Sequence, residues 1–152
     1  MPELVPWLLF VHVLTAIVAF GPTFAFPIIG GMGGKEPQHA NFATRVSEAI
    51  SHRMALPLAL TMPVSGVLLI WAARIDLLAA RWLLVAIALY VCMISFVILV
   101  QNPAVARVVE LSGRTPPPLP ELGAAVKKVQ QGGMLLTVLV VAIVLLMVAK
   151  PF

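Results

Sequence analysis

The stretch that decides the fold is WLLFVHVLTAIVAFGPTFAFPII, residues 7–29. It contains no Asp, Glu, Lys or Arg, and it is long enough to cross the roughly 30 Å hydrocarbon layer of a bilayer as a helix. His12 lies inside it. An ionisable side chain at membrane depth is costly, so we expect this imidazole to face protein, water or a ligand rather than lipid. Every functional hypothesis for the chain depends on the role of His12.

The composition of the whole chain agrees with a membrane protein. Of its 152 residues 61% are hydrophobic and 11% are charged, whereas a soluble domain carries about 25% charged residues. The net charge of +4 comes from basic residues in short loops, where they set topology and attract anionic lipids, so we expect membrane lipids and no nucleic acid as partners. A single cysteine, Cys92, excludes an internal disulfide and a cysteine-based metal cluster.

The hydropathy pattern predicts an all-α antiparallel bundle of four membrane spans that forms one domain over residues 1–152. Gly21-Pro22 and Pro27 predict a kink or early unwinding in the first span, because proline breaks the backbone hydrogen-bond ladder. The glycine-rich residues 30–38 predict a flexible loop after it. The four spans are predicted at residues 5–29, 54–73, 82–100 and 134–149.

Two further segments complete the predicted architecture. Residues 41–53, NFATRVSEAISHR, have the periodicity of an amphipathic helix that leads directly into the second span. Residues 114–120, RTPPPLP, predict a stiff proline-rich loop before the fourth span. Seven basic residues lie in the first and third loops and three on the opposite side. The positive-inside rule therefore predicts a bacterial cytoplasmic membrane protein with both termini outside.

Depth along the spans suggests which side chains accompany His12. It lies about 10 Å below the outer end of its span, and Tyr90 and Cys92 are the polar groups expected nearest to it. His12 and Tyr90 are accordingly the candidate cofactor-binding residues. His52 is expected about 20 Å from His12, which argues against one haem held between two histidines. Either His12 fixes helix packing through a hydrogen bond, or it binds a metal or haem iron or carries a proton.

A second candidate site is a group of charged residues at the cytoplasmic end of the second span. One interpretation is a solvated helix face whose i,i+4 pairs contribute about 0.3–0.5 kcal/mol each. The other is a surface site for an anion or a lipid headgroup. No Asp, Glu, Lys or Arg lies within any span, which argues against a proton- or cation-coupled transporter. The residues of this site are Arg45, Glu48, His52 and Arg53.

Three stretches resemble a known family: LLFVHVLTAIVAFGPTFAFPIIG, EPQHANFATRVSE and QQGGMLLTVLVVAIVLLMV. They are similar to an uncharacterised bacterial family of predicted four-helix integral membrane proteins, a domain of unknown function. The resemblance covers the whole chain and implies the fold without an activity. The early histidine is also similar to that of the membrane protoporphyrinogen oxidases and the copper-resistance D-type membrane domains. In the oxidases it implies haem ligation together with a later membrane lysine, and the third and fourth spans here contain none.

Three functional hypotheses follow. The first is a membrane protein that handles haem or another tetrapyrrole through His12. The second is a non-enzymatic accessory or scaffold subunit of a larger membrane complex, and the third is a small-solute permease. Because a bundle of this size buries little surface, we also expect a homodimer or a larger complex.

Overall fold

The computed structural model describes residues 2–151, and within that part the chain forms four long helices and no strand. Each of these helices is long and apolar enough to cross a membrane. Consecutive helices run in opposite directions, so the predicted all-α antiparallel bundle is confirmed. The long helices are Val5–Lys35, Ala40–Ala73, Arg81–Ser112 and Leu119–Ala149.

Most of the long helices are built from shorter pieces. The first consists of α1 (Val5–Phe20) and α2 (Pro22–Lys35). The second consists of α3 (Ala40–Ile50), a π-helical turn (Ser51–Ala55) and α4 (Leu56–Ala73). The third consists of α5 (Arg81–Phe96), a π-helical turn (Val97–Gln101) and α6 (Asn102–Ser112). The fourth is the continuous α7 (Leu119–Ala149).

The first long helix is interrupted at Gly21 alone. Pro22 has no N–H to donate to the preceding turn, so the ladder is broken there. The N–H of Gly21 still bonds the Ile17 carbonyl at 2.8 Å, and Pro27 remains inside α2. The predicted proline effect is therefore a one-residue break without unwinding.

The predicted loop over residues 30–38 is wrong for its first six residues, because α2 continues to Lys35. The reason is a close helix contact that Gly33 permits. A Cβ on Gly33 would lie 3.2 Å from the Ala43 Cβ and 3.3 Å from the Ala40 Cα. This packing of α2 on α3 outweighs the low helix propensity of glycine.

The two π-helical turns share one sequence feature. Each is followed, after one residue, by a proline: Pro57 in the second long helix and Pro103 in the third. Because these prolines cannot donate to the carbonyl four residues earlier, the ladder changes register just before them. Residues 40–55 therefore continue into the second span as predicted, with one widened turn between the amphipathic part and the apolar part.

The bundle consists of two helix pairs. The first long helix packs along the second, and the third packs along the fourth. The pairs join through α3 with α6 and through α2 with α7, at the end that carries the first and third loops, which we call the loop side. The opposite end, with both chain termini and the short second loop, is the termini side.

Small residues allow the helices to approach closely. Ala19, Ala59 and Ala86 are buried in the bundle, and Ala86 has no exposed surface. Large apolar side chains instead cover the outside, such as Ile17, Val67 and Leu145, each more than 60% exposed. A surface of this kind needs lipid around it, which agrees with a multi-pass integral membrane protein.

Candidate functional site

His12 is held by a hydrogen-bonded chain that leads into the second long helix. Its Nδ1 lies 2.7 Å from the Ser65 Oγ, and that oxygen lies 3.0 Å from the Met62 carbonyl. A serine hydroxyl has one proton to donate. The Met62 carbonyl oxygen can only accept a hydrogen bond, so Ser65 donates its proton to it. The Ser65 oxygen then accepts the Nδ1–H of His12. Every member of the chain is then satisfied, and the lone pair of a neutral imidazole stays on Nε2.

The surroundings of the ring are small and apolar. The Cε1 edge of His12 faces Gly66, where an added Cβ would lie 3.7 Å away in ordinary van der Waals contact. The imidazole is half-buried between α1 and α4. Hydroxyls within spans commonly bond their own backbone or bridge helices, and Ser65 does both. The adjacent Ser65-Gly66 pair is the sequence signal for this role.

Tyr90 lies at a different level of the bundle from His12. Its hydroxyl donates to the Ala59 carbonyl, and its ring packs edge-on against Phe20 with centroids 6.5 Å apart. Ala59 and Ser65 are six residues apart on α4, which is about 9 Å along the helix. The structure thus does not bring Tyr90 to His12.

The difference in level has a simple origin. The depths expected from the sequence assume that all spans begin at one common outer plane of the membrane. Tyr90 is nine residues into α5, but Phe20 is fifteen residues into α1. The start of α5 is therefore displaced toward the loop side by about 9 Å relative to the start of α1. Cys92 is exposed and lies two residues beyond Tyr90 on α5, farther still from the level of His12.

His12 and His52 occupy separate regions, as expected. Ser65, the partner of His12, is thirteen residues from His52 along the second long helix, a rise of about 20 Å. Among the described residues no three His, Cys, Asp or Glu side chains come together as a metal-binding group.

The second candidate site forms one open surface. Its four residues line a groove of about 510 Å³ along the exposed face of α3 and the π-helical turn, which we call the α3 groove. Apolar side chains lie between the charged ones, so the groove is lined by both kinds of residue. Within residues 2–151 none of the four forms an ion pair, so the expected i,i+4 pair between Glu48 and His52 is not made. The lining is Phe42, Arg45, Val46, Glu48, Ala49, His52 and Arg53.

Sequence reasoning missed one polar contact between the third and fourth long helices. The Gln101 Nε2 donates to the Val129 carbonyl at 3.1 Å. Its Oε1 is buried against Gly132 and has no hydrogen-bond partner in the described part of the chain. The available signal was a glutamine beside a proline-distorted turn, facing the QQGG motif of residues 130–133.

Comparison with known proteins gives one match. A family model described as "Predicted integral membrane protein" matches residues 6–151. No curated protein and no solved structure matches the chain.

Proposed function

Because the chain belongs to the DUF2269 family of predicted integral membrane proteins, we propose that it works within the bilayer, binding haem or a related metal-containing tetrapyrrole through His12. One observation carries the proposal. The contact between His12 Nδ1 and Ser65 orients the ring and leaves the lone pair of Nε2 available to a metal. Histidines that bind metals commonly have their other ring nitrogen engaged in this way.

The number of available ligands favours a tetrapyrrole over a bare metal ion. A metal ion bound by protein alone needs three or more side-chain donors, and the described residues contain no such group. A tetrapyrrole brings four nitrogen donors of its own and needs only one axial ligand from the protein, as proximal histidines provide. A single oriented imidazole therefore fits this class of ligand.

The residues around His12 suit an apolar ligand with a charged edge. Leu9 and Leu68 lie one turn from His12 and Ser65 on their respective helices and are 50% and 41% exposed. Such side chains would contact the ring system. Carboxylates at the edge of the ligand would lie toward Arg74 and Arg81, the basic residues near the termini-side ends of α4 and α5.

Each residue then has a defined task. His12 would hold the metal through Nε2, Ser65 would hold the imidazole through Nδ1, and Gly66 would pack against the Cε1 edge of the imidazole. The bound metal would supply electron transfer or axial-ligand exchange. We place the site in the outer half of a bacterial inner membrane, following the positive-inside orientation with both termini outside.

Purification with an absorbance scan tests the proposal. We expect a Soret band in the wild type, either as purified or after titration with hemin in detergent. The band should be lost in His12→Ala and kept in His52→Ala, a matched control in which the removed imidazole lies in the α3 groove.

Two results would overturn the proposal. One is a wild-type protein that gives no Soret band even with added hemin, and the other is a band that His12→Ala leaves unchanged. In that case, co-purification with a fixed membrane partner would favour the accessory-subunit hypothesis, and solute flux in liposomes would favour the permease hypothesis.

A further inference from the structure

We propose that the α3 groove binds the headgroup of an anionic phospholipid that carries one phosphodiester, with the acyl chains lying along α4. This site is separate from His12 and does not depend on the proposed tetrapyrrole. Three features support it: free basic groups, one acidic group among them, and an apolar track that begins where the groove ends.

The basic groups of the groove are available. Arg45 and Arg53 make no ion pair within residues 2–151, and both are exposed. By contrast, Arg107 and Arg114 on the same side of the bundle are engaged with Glu110 at 2.8 and 2.5 Å. Guanidinium groups bind phosphate oxygens through two parallel hydrogen bonds, so unpaired arginines in a concave surface suit a phosphodiester.

Glu48 limits which anion can bind. It places one carboxylate beside the two guanidinium groups, which leaves a modest positive charge in the groove. A singly charged phosphodiester meets less repulsion from Glu48 than a doubly charged phosphate does. The carboxylate can also accept a hydrogen bond from a hydroxyl of the headgroup. The charge balance therefore favours a hydroxylated headgroup such as that of phosphatidylglycerol over free phosphate.

The groove lies at the depth of lipid headgroups. Arg53 lies three residues before the start of α4, and the eighteen residues of α4 carry no charge. That length corresponds to about 27 Å, close to the hydrocarbon thickness. Arg53 is thus at the membrane boundary, and Arg45 lies farther into the headgroup and water region.

An exposed apolar stripe runs from the groove along the whole of α4. Its residues follow Arg53 at intervals of three or four, so they lie on one side of the helix. The four large apolar residues of the stripe are between 51% and 64% exposed. A soluble anion in the α3 groove would make no contact with this stripe. The acyl chain of a lipid whose headgroup occupies the groove would lie on it. The stripe consists of Pro57, Leu60, Val64, Val67 and Trp71.

Lipid retention in nanodiscs tests this site. Wild-type protein is incorporated with equal amounts of phosphatidylglycerol and phosphatidylcholine, and the lipids that stay bound on release into detergent are counted by native mass spectrometry. We expect phosphatidylglycerol to be preferred, and the preference to fall about tenfold in the double variant Arg45→Gln/Arg53→Gln. Circular dichroism and size-exclusion chromatography establish that the variant is folded.

A charge-matched control separates a site from general attraction. Lys127→Gln/Lys128→Gln removes the same charge from the loop side of α7 and should change the preference less than twofold. Equal losses in the two double variants would overturn the proposal, since diffuse charge would then explain the binding. It would also be overturned by displacement of the lipid with inorganic phosphate at constant ionic strength, which would assign the groove to a soluble anion.

Discussion

His12 and Ser65 form a hydrogen bond that joins the first and second long helices within their apolar segments, with Nδ1 2.7 Å from Oγ. Because Ser65 is also bonded to the Met62 carbonyl, the direction of the imidazole is set by α4 rather than by the helix that carries it. Changes in α4 should therefore affect the chemistry of a residue on α1.

Ser65→Ala is expected to weaken ligand binding by His12 without unfolding the bundle. The imidazole loses its Nδ1 partner and its fixed orientation, and loss of such a supporting contact commonly costs 10–100-fold in metal affinity. Hemin titration followed at the Soret band measures the change. Ser65→Thr keeps the hydroxyl and should retain most of the affinity. Equal affinity in the wild type and Ser65→Ala would contradict the assigned role of Ser65.

Tyr90→Phe is expected to destabilise the fold and to leave the His12 site intact. The substitution removes the hydrogen bond to the Ala59 carbonyl, at a cost of about 1 kcal/mol in the free energy of unfolding. SDS titration followed by circular dichroism measures this free energy. Hemin affinity should not change, because Ala59 is about 9 Å from the level of Ser65. A loss of affinity in Tyr90→Phe would show that the two levels are coupled.

Gly132→Ala should disturb the contact of α7 with Gln101, whereas Gly133→Ala should not. A Cβ on Gly132 would overlap the Gln101 Oε1, and a Cβ on Gly133 would have no atom within 4 Å. Displacing the amide breaks its bond to Val129, so Gly132→Ala should be less stable than Gly133→Ala by about 1 kcal/mol. In a Gln101→Ala background this difference should nearly vanish, which a double-mutant cycle measures. A difference that persists would assign the cost to another neighbour.

Gly33→Val is expected to separate α2 from α3. The new side chain would enter a space in which even a Cβ lies 3.3 Å from the Ala40 backbone, so we expect a loss of about 1–3 kcal/mol in unfolding free energy. Gly34→Val is the matched control, because nothing lies within 4 Å of a Cβ there. SDS titration compares the two variants, and similar stabilities would mean that the helices can separate at little cost.

Hydropathy and charge predicted the number of helices, their antiparallel order and the continuity of residues 41–53 with the second span, because these properties depend on local composition. The end of the first long helix could not be predicted in the same way. Glycine has low intrinsic helix propensity, but Gly33 is stabilised in the helix by a neighbour that is distant in sequence.

The candidate site could also be predicted only in part, because some of its contacts join residues that are distant in sequence. The cost of burying an imidazole identified His12 from the sequence alone. Its partner depends on how α1 and α4 align, and Tyr90 was misplaced because the starts of α1 and α5 differ in level. The four charged residues that line the α3 groove could be grouped from the sequence, since all of them belong to one continuous helical segment.

The π-helical turns have a consequence for how this protein can vary in length. A π-helical turn holds one residue more than the α-helical turn it replaces, so the second and third long helices each contain one residue that could be deleted without breaking the chain of helical hydrogen bonds. Such a deletion within Ser51–Ala55 would convert the π-helical turn into an α-helical one, and because the two kinds of turn complete nearly the same rotation, α3 would keep its direction relative to α4. The α3 groove would then still face the side of the bundle on which the apolar stripe of α4 begins.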